Sequence, residues 1–247
     1  WFTLSDLAEI KRRIIGSGRI GGKAAGMLLA ARIIRETGSE SLRSSIRLPE
    51  SFYVGSNEIY TFMSINNLIL WNDQKYKSEE DMRDEYPTII EEFLKGEYPP
   101  GTIEKFQSML AMVGNRPLIV RSSSLLEDNF GMAFAGKYES IFLPNQSSPK
   151  QNLRELKRAV ALVYASTLNP AALLYRRRRG LQDYDERMAI LIQGVEGENY
   201  GKYYLPHGAG VAFSRNLYRW APQIRSEEGF VRLVWGLGTR AVDRVGN

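Results

Sequence analysis

The chain has 247 residues, 43% of them hydrophobic and 25% charged, a composition typical of a folded globular protein with a hydrophobic core. It has no cysteine and one histidine, His207, which excludes disulfides, thiolate metal sites, cysteine nucleophiles and multi-histidine metal sites. The net charge of +5 favours anionic ligands such as nucleotides, and no apolar run approaches the roughly 20 residues that span a membrane.

The first half of the chain predicts mainly helices, because its apolar residues recur at helical spacing. Gly38 marks the end of one of them, and residues 46–56 predict extended chain. Helices are predicted at 3–13, at 23–36 and, with breaks at Pro87 and Pro99–Pro100, across 56–113.

The pattern changes after residue 116, where short apolar runs typical of strands become frequent. Strands are predicted within 118–123, 137–144, 187–196, 208–216 and 229–238, and helices at 148–166 and from Pro170 to Arg179. The fold class is therefore α/β in the broad sense (α+β), with a helical first part and a strand-rich second part.

The densest glycine cluster is GSGRIGGKAAG, residues 16–26. Gly16, Gly18 and Gly21 spell G-x-G-x-x-G, but a dinucleotide fingerprint has to follow a buried strand, and the preceding EIKRRII is charged and helix-like. A P-loop is excluded because Ser17 stands where it needs glycine and Ala24 where it needs a hydroxyl.

A third interpretation is a Gly-Gly-Lys loop that leads into the helix beginning near Lys23. Gly21 and Gly22 lack a Cβ, so their N–H groups can approach an anion at the positive end of that helix. Lys23 adds a charge that can reach a phosphate. The alternative is a tight turn followed by a solvated surface lysine.

The second informative stretch is LIVRSSSLLEDNFGMAFAGKYESIFLP, residues 118–144. Arg121 stands at the end of its apolar strand, a rigid position from which a guanidinium can grip a phosphate in a fork geometry. The alternative is a structural arginine paired with Glu127 or Asp128.

Several segments in this order resemble one family: Gly-Gly-Lys before an Ala-rich helix, Val-Arg-Ser-Ser, Glu-Asp and Phe-Ala-Gly. The later segments MAILIQGVE, GAGVAFSRN and VWGLGTRAV are similar to the same family. It is the ATP-binding domain of phosphoenolpyruvate synthase and pyruvate phosphate dikinase, with related domains in rifampicin phosphotransferase and the glucan dikinases. The resemblance covers roughly residues 14–242.

The resemblance implies an ATP-grasp-like fold with the nucleotide between two lobes. Residues 1–247 would form one nucleotide-binding domain with sub-lobes 1–115 and 116–247, truncated at its C-terminal end. Lys23 would contact phosphates, and Arg121 would stabilise charge on the phosphoryl group being cleaved. The remaining implied contacts with the nucleotide are Gly136 and Ser140 in a loop over the phosphates, and Gln193, Gly194 and Val195 beside the purine.

The chain departs from the family pattern at a few positions: Ala24 replaces a glycine and Ser140 a threonine. The family's cofactors are ATP and Mg²⁺, and its Mg²⁺-holding Glu and Gln-x-Arg are expected beyond residue 247. The phosphoryl-accepting histidine and the final acceptor would lie on separate domains of the same parent protein. His207 does not match that histidine and is interpreted as a loop residue between strands. A cytoplasmic location is expected.

Three functions remain open: the ATP-binding part of a dikinase-type phosphotransferase, a nucleotide-binding regulatory module without catalysis, and a nucleic-acid binder. The last rests on Arg176–Arg179 and the thirteen tyrosines. It is the least favoured, because cations at the end of a helix are common and the other basic residues are dispersed.

Overall fold

The computed structural model describes residues 1–126, 136–216 and 223–238. It is a mixed structure of helices and sheets, and the chain divides into two compact units, residues 1–194 and 195–247. Within the described ranges, no helix combines the length and the apolar character that crossing a bilayer requires.

The helices of the first unit begin where polar caps place them. Thr3, Ser78 and Ser148 each accept a hydrogen bond from a backbone N–H in the first turn of the helix that follows. The α-helices are α1 (Leu4–Arg13), α2 (Gly22–Thr37), α3 (Glu40–Ser45), α4 (Glu58–Ile65), α5 (Glu79–Lys95), α6 (Pro100–Val113), α7 (Pro149–Ala165) and α8 (Pro170–Arg178). Residues Ile69–Tyr76 and Ser166–Leu168 form 3₁₀ helices.

A five-stranded sheet lies at the centre of this unit. Its strands are β1 (Ile14–Ile15), β2 (Ser51–Val54), β3 (Leu118–Ser123), β4 (Ser140–Leu143) and β5 (Ala189–Gly194). The spatial order is β1-β2-β5-β3-β4, with β1 parallel to β2 and all other pairs antiparallel. The sheet therefore joins strands from before and after residue 115. The division into sub-lobes 1–115 and 116–247 stays a prediction.

The two faces of the sheet have different environments, because side chains alternate along each strand. Val120 and Ile192 point into a large core shared with α4–α8, where Phe106 and Leu156 are fully buried. The opposite face carries a small apolar cluster of Tyr53 and Leu191 against Ala24 of α2.

The second unit contains two antiparallel pairs in its described part. Strand β6 (Glu198–Tyr200) pairs with β7 (Tyr203–Leu205), and β8 (Gly208–Phe213) pairs with β9 (Phe230–Trp235).

The predicted helices and strands are confirmed, with one break that is wrong. Pro87 lies inside α5 rather than at its end. The helix continues because Met82 and Ile89, on either side of the proline, are both buried in the core, and this packing outweighs one lost backbone hydrogen bond. Strands β1, β6 and β7 were not predicted, since two or three residues are too few to show a period.

We expect Pro87→Ala to raise the free energy of unfolding by about 1–2 kcal/mol, because alanine restores a backbone donor in the interior of α5. Pro100→Ala is the matched control: Pro100 occupies the first turn of α6, where proline is well tolerated, so no gain is expected. Urea unfolding of both variants measures this. A Pro87→Ala variant no more stable than the wild type would contradict a continuous α5.

Candidate functional site

The glycine loop, residues 16–21, is held along its backbone by residues 55–58. Ser56 bonds twice to Arg19: its N–H donates to the Arg19 carbonyl (2.9 Å), and its Oγ accepts from the Arg19 N–H (3.0 Å). Ser17 donates its N–H to the carboxylate of Glu58 (3.2 Å). The path of the loop is therefore set by protein contacts.

The contact with residues 55–58 explains two glycines of the glycine loop. Gly16 and Gly18 have φ values of +76° and +101°, which favour glycine. A Cβ on Gly16 would overlap the Glu58 carboxylate, and one on Gly18 would lie 2.7 Å from the Ser56 hydroxyl. The loop does follow a strand, but β1 has only two residues at a sheet edge, so a dinucleotide-binding unit remains disfavoured.

The other end of the glycine loop lies against the end of β3. The Ser123 hydroxyl donates to the Ile20 carbonyl (3.0 Å) and accepts from the Ala24 N–H (3.2 Å). Lys23 Nζ lies 3.4 Å from the Ser122 hydroxyl. The two stretches singled out in the sequence, Gly-Gly-Lys and Val-Arg-Ser-Ser, are therefore in direct contact.

Helix α2 begins without a side-chain cap of its own. Its N-cap is Gly21, with φ +80°, and a Cβ there would overlap the Ser123 carbonyl oxygen. Among the described residues, no acceptor bonds to the N–H groups of Gly21 and Gly22. Those donors and the positive end of the helix dipole suit an anion.

One row of side chains crosses all five strands on the α2 face: Ile14, Tyr53, Leu191, Arg121 and Ser140 are successive neighbours. Its first three members are apolar or aromatic and pack in the cluster that Ala24 covers. Burial raises the pKa of the Tyr53 phenol above its ordinary value. Beyond the covered part, the row ends in Arg121 and Ser140.

Arg121 has a buried Nε for which no acceptor is found among the described residues. Such a donor costs free energy unless a ligand or water satisfies it. The alternative pairing with Glu127 or Asp128 lies outside the described residues. Ser140 is exposed beside Arg121, and Gly136, with φ +74° and open space around it, precedes β4.

Gln193 is 6% exposed and connects three elements of the first unit. Its amide nitrogen donates to the Ser51 hydroxyl (3.1 Å) and to the Met27 sulfur (3.2 Å). The N–H of Gly194 donates to the carbonyl of Glu50 (2.9 Å). These donors are thus engaged within the protein, and a contact between Gln193 and a purine stays a prediction.

The remaining predicted residues lie in the second unit. The carbonyl of Val195 accepts a hydrogen bond from the Tyr204 hydroxyl (3.1 Å). His207 lies between β7 and β8, which confirms it as a loop residue, and its Nε2 is hydrogen-bonded to the Tyr200 hydroxyl (2.9 Å).

In the described part of the chain, no three His, Cys, Asp or Glu side chains are grouped so that they could hold a metal ion.

The comparison with protein families identifies the chain. The family model described as pyruvate phosphate dikinase, AMP/ATP-binding domain, matches residues 17–247. The chain belongs to this family. The resemblance seen in the sequence motifs is confirmed, and AMP/ATP binding is the property by which the family is described.

A curated relative of this AMP/ATP-binding domain is similar over most of the chain. Rifampicin phosphotransferase from Streptomyces sviceus is 26% identical over 218 residues, which cover 85% of this chain and 22% of the relative. The chain therefore spans about a fifth of the length of that relative.

Sequence reasoning missed the residues that hold the glycine loop in this AMP/ATP-binding domain: Ser56, Glu58 and Ser123. Ser56 and Glu58 bond to residues 37 and 41 positions away, and Ser123 bonds to Ile20 and Ala24, about 100 positions away. A spacing pattern cannot show such partners. Ser123 does belong to the Val-Arg-Ser-Ser motif, which was the one available signal.

We expect Gly21→Ala to lower the free energy of unfolding by more than about 1 kcal/mol, because both its positive φ and the Ser123 carbonyl exclude a Cβ. Gly26→Ala in the same helix is the control: no described residue lies within 4 Å of a Cβ there, so a gain of about 0.5–1 kcal/mol is expected. Chemical denaturation measures both. Equal effects of the two variants would contradict the contact between Gly21 and β3.

Proposed function

We propose that this chain is the ATP-binding part of a dikinase-type phosphotransferase, which passes a phosphoryl group from ATP to a histidine on a separate swivelling domain. The observation that carries the proposal is the contact between the Gly-Gly-Lys loop and the end of the strand that bears Arg121. Membership of the AMP/ATP-binding family supports the nucleotide as ligand.

The side chains and backbone groups at this contact suit a polyphosphate. Gly21 and Gly22 offer N–H groups with no acceptor among the described residues, and Lys23 brings an ammonium. The Nε of Arg121, which has no acceptor among the described residues, would gain an anionic one. Cations and backbone donors directed at one place stabilise phosphate charge more than dispersed surface charges do.

In this proposal each group has a distinct task. Gly21, Gly22 and Lys23 bind and orient the phosphates, while Arg121 stabilises the negative charge that develops on the transferred phosphoryl group. Ser140, the exposed neighbour of Arg121 in the cross-strand row, would donate its hydroxyl to the same phosphates. Gly136 would belong to the loop that closes over them.

The other parts of the proposal rest on the family resemblance. Gln193, Gly194 and Val195 would border the purine in an ATP-grasp-like, two-lobed fold. Mg²⁺ would be bound chiefly through the phosphates and through ligands beyond residue 247. The partners would be the phosphohistidine and acceptor-binding domains of the same parent protein, in the cytoplasm.

Calorimetric titration with ATP in the presence of Mg²⁺ tests the site. Lys23→Ala and Arg121→Ala are each expected to weaken ATP binding by about 1–3 kcal/mol, the range for hydrogen bonds to charged groups. Lys95→Ala and Arg83→Ala are the controls, because these exposed side chains form surface i,i+4 pairs within α5. The controls should bind ATP as the wild type does.

Unchanged ATP affinity in both Lys23→Ala and Arg121→Ala would contradict the proposed site. In the full-length parent, phosphoryl transfer from ATP to protein histidine distinguishes an enzyme from the regulatory alternative. Binding without transfer in that protein would favour the regulatory module.

A further inference from the structure

We infer that Ser123 is a positioning residue, which caps α2 from a distant strand and thereby sets the Gly-Gly-Lys loop relative to Arg121. The inference rests on the proposed function, since it concerns how the same phosphate site is assembled. It assigns Ser123 no contact with ATP.

The hydrogen bonds of Ser123 are those of a helix N-cap. An N-cap side chain usually accepts from the N–H of the second or third helical residue. Ala24 is the third residue of α2, and its N–H donates to the Ser123 hydroxyl (3.2 Å), although Ser123 lies 99 residues away in the sequence. The same hydroxyl donates to the Ile20 carbonyl (3.0 Å), on the other side of Gly21.

The distant cap explains why the N-cap of α2 is glycine. A serine or aspartate at position 21 would need a Cβ where the Ser123 carbonyl lies. A local cap is therefore sterically excluded, and Ser123 supplies the hydroxyl instead. It engages the Ala24 N–H, while the Gly21 and Gly22 N–H groups keep no acceptor among the described residues.

Ser123 also relates the loop to Arg121. The two residues are two positions apart on β3, so their side chains lie on the same face of the sheet, about 7 Å apart along the strand. Strand β3 is paired on both sides at Arg121, so both neighbouring strands fix the position of its backbone there. Through one buried hydroxyl, the N-terminus of α2 is attached to the strand that carries Arg121.

Removal of the hydroxyl has a specific consequence. Ser123 and Ala24 are fully buried, so in Ser123→Ala the Ala24 N–H loses its acceptor away from solvent, and the carbonyl of the partly buried Ile20 loses a donor. The loop then either keeps unsatisfied groups or shifts away from β3. A shifted loop misaligns the phosphate-binding groups, and a loop that stays in place with unsatisfied groups holds them less firmly. Both outcomes leave groups that contact only the nucleoside in place.

Calorimetry with ATP and with adenosine tests the inference. Ser123→Ala is expected to weaken ATP binding about tenfold, comparable to the loss of a helix cap, and to change adenosine binding less than about twofold. Ser166→Ala is the matched control: Ser166 is also fully buried, with one donated and one accepted hydrogen bond, at the end of α7. It should leave ATP affinity within about twofold of wild type.

Amide hydrogen exchange provides a second readout that needs no ligand. The Ala24 amide should exchange faster in Ser123→Ala than in wild type, and remain protected in Ser166→Ala. A Ser123→Ala variant that binds ATP like wild type, or that loses ATP and adenosine binding equally, would overturn the inference and leave the proposed function standing. A wild-type chain that binds no ATP would instead overturn the proposed function, and the inference with it.

Discussion

The hydroxyl of Ser123 joins two segments that lie about 100 residues apart, and the geometry of the candidate site depends on this junction. Its two hydrogen bonds draw the start of α2 onto the end of β3, and the close approach requires glycine at position 21. Because the Ser123 hydroxyl and the Ala24 N–H are buried, that N–H has no water to replace a lost partner. The loop that would bind phosphate is thus part of the folded framework.

The glycines of the cluster have different physical reasons, although they look alike in the sequence. Gly16 and Gly18 accommodate the segment 55–58, and Gly21 accommodates β3. At Gly26 no described residue lies within 4 Å of a Cβ, so no contact among the described residues requires glycine there. The apparent G-x-G-x-x-G pattern therefore arises from contacts within the protein, and in the proposed site the backbone groups that face the ligand belong to Gly21 and Gly22.

The sheet explains how one short strand serves both stability and function. Along β3, Leu118 and Val120 enter the helical core, while Arg121 and Ser123 lie on the face that α2 covers only in part. The same alternation places Ser140 beside Arg121 and an apolar neighbour, Leu191, on its other side. One face of β3 thus anchors the strand in the core while the other presents Arg121 and Ser123, so a rigid strand holds both residues in place.

The sequence by itself determined the longer helices and strands, the exclusion of cysteine and multi-histidine chemistry, and the family, since these follow from local periodicity, composition and the order of motifs. It also indicated Lys23 and Arg121 as one site. Only the tertiary structure decided that α5 continues through Pro87, that β1 exists, and that Ser56, Glu58 and Ser123 hold the glycine loop. The physical reason is that packing and hydrogen bonds between residues dozens of positions apart outweigh local preference. Apart from the place of Ser123 in the Val-Arg-Ser-Ser motif, the residues read in order carry no signal of these contacts.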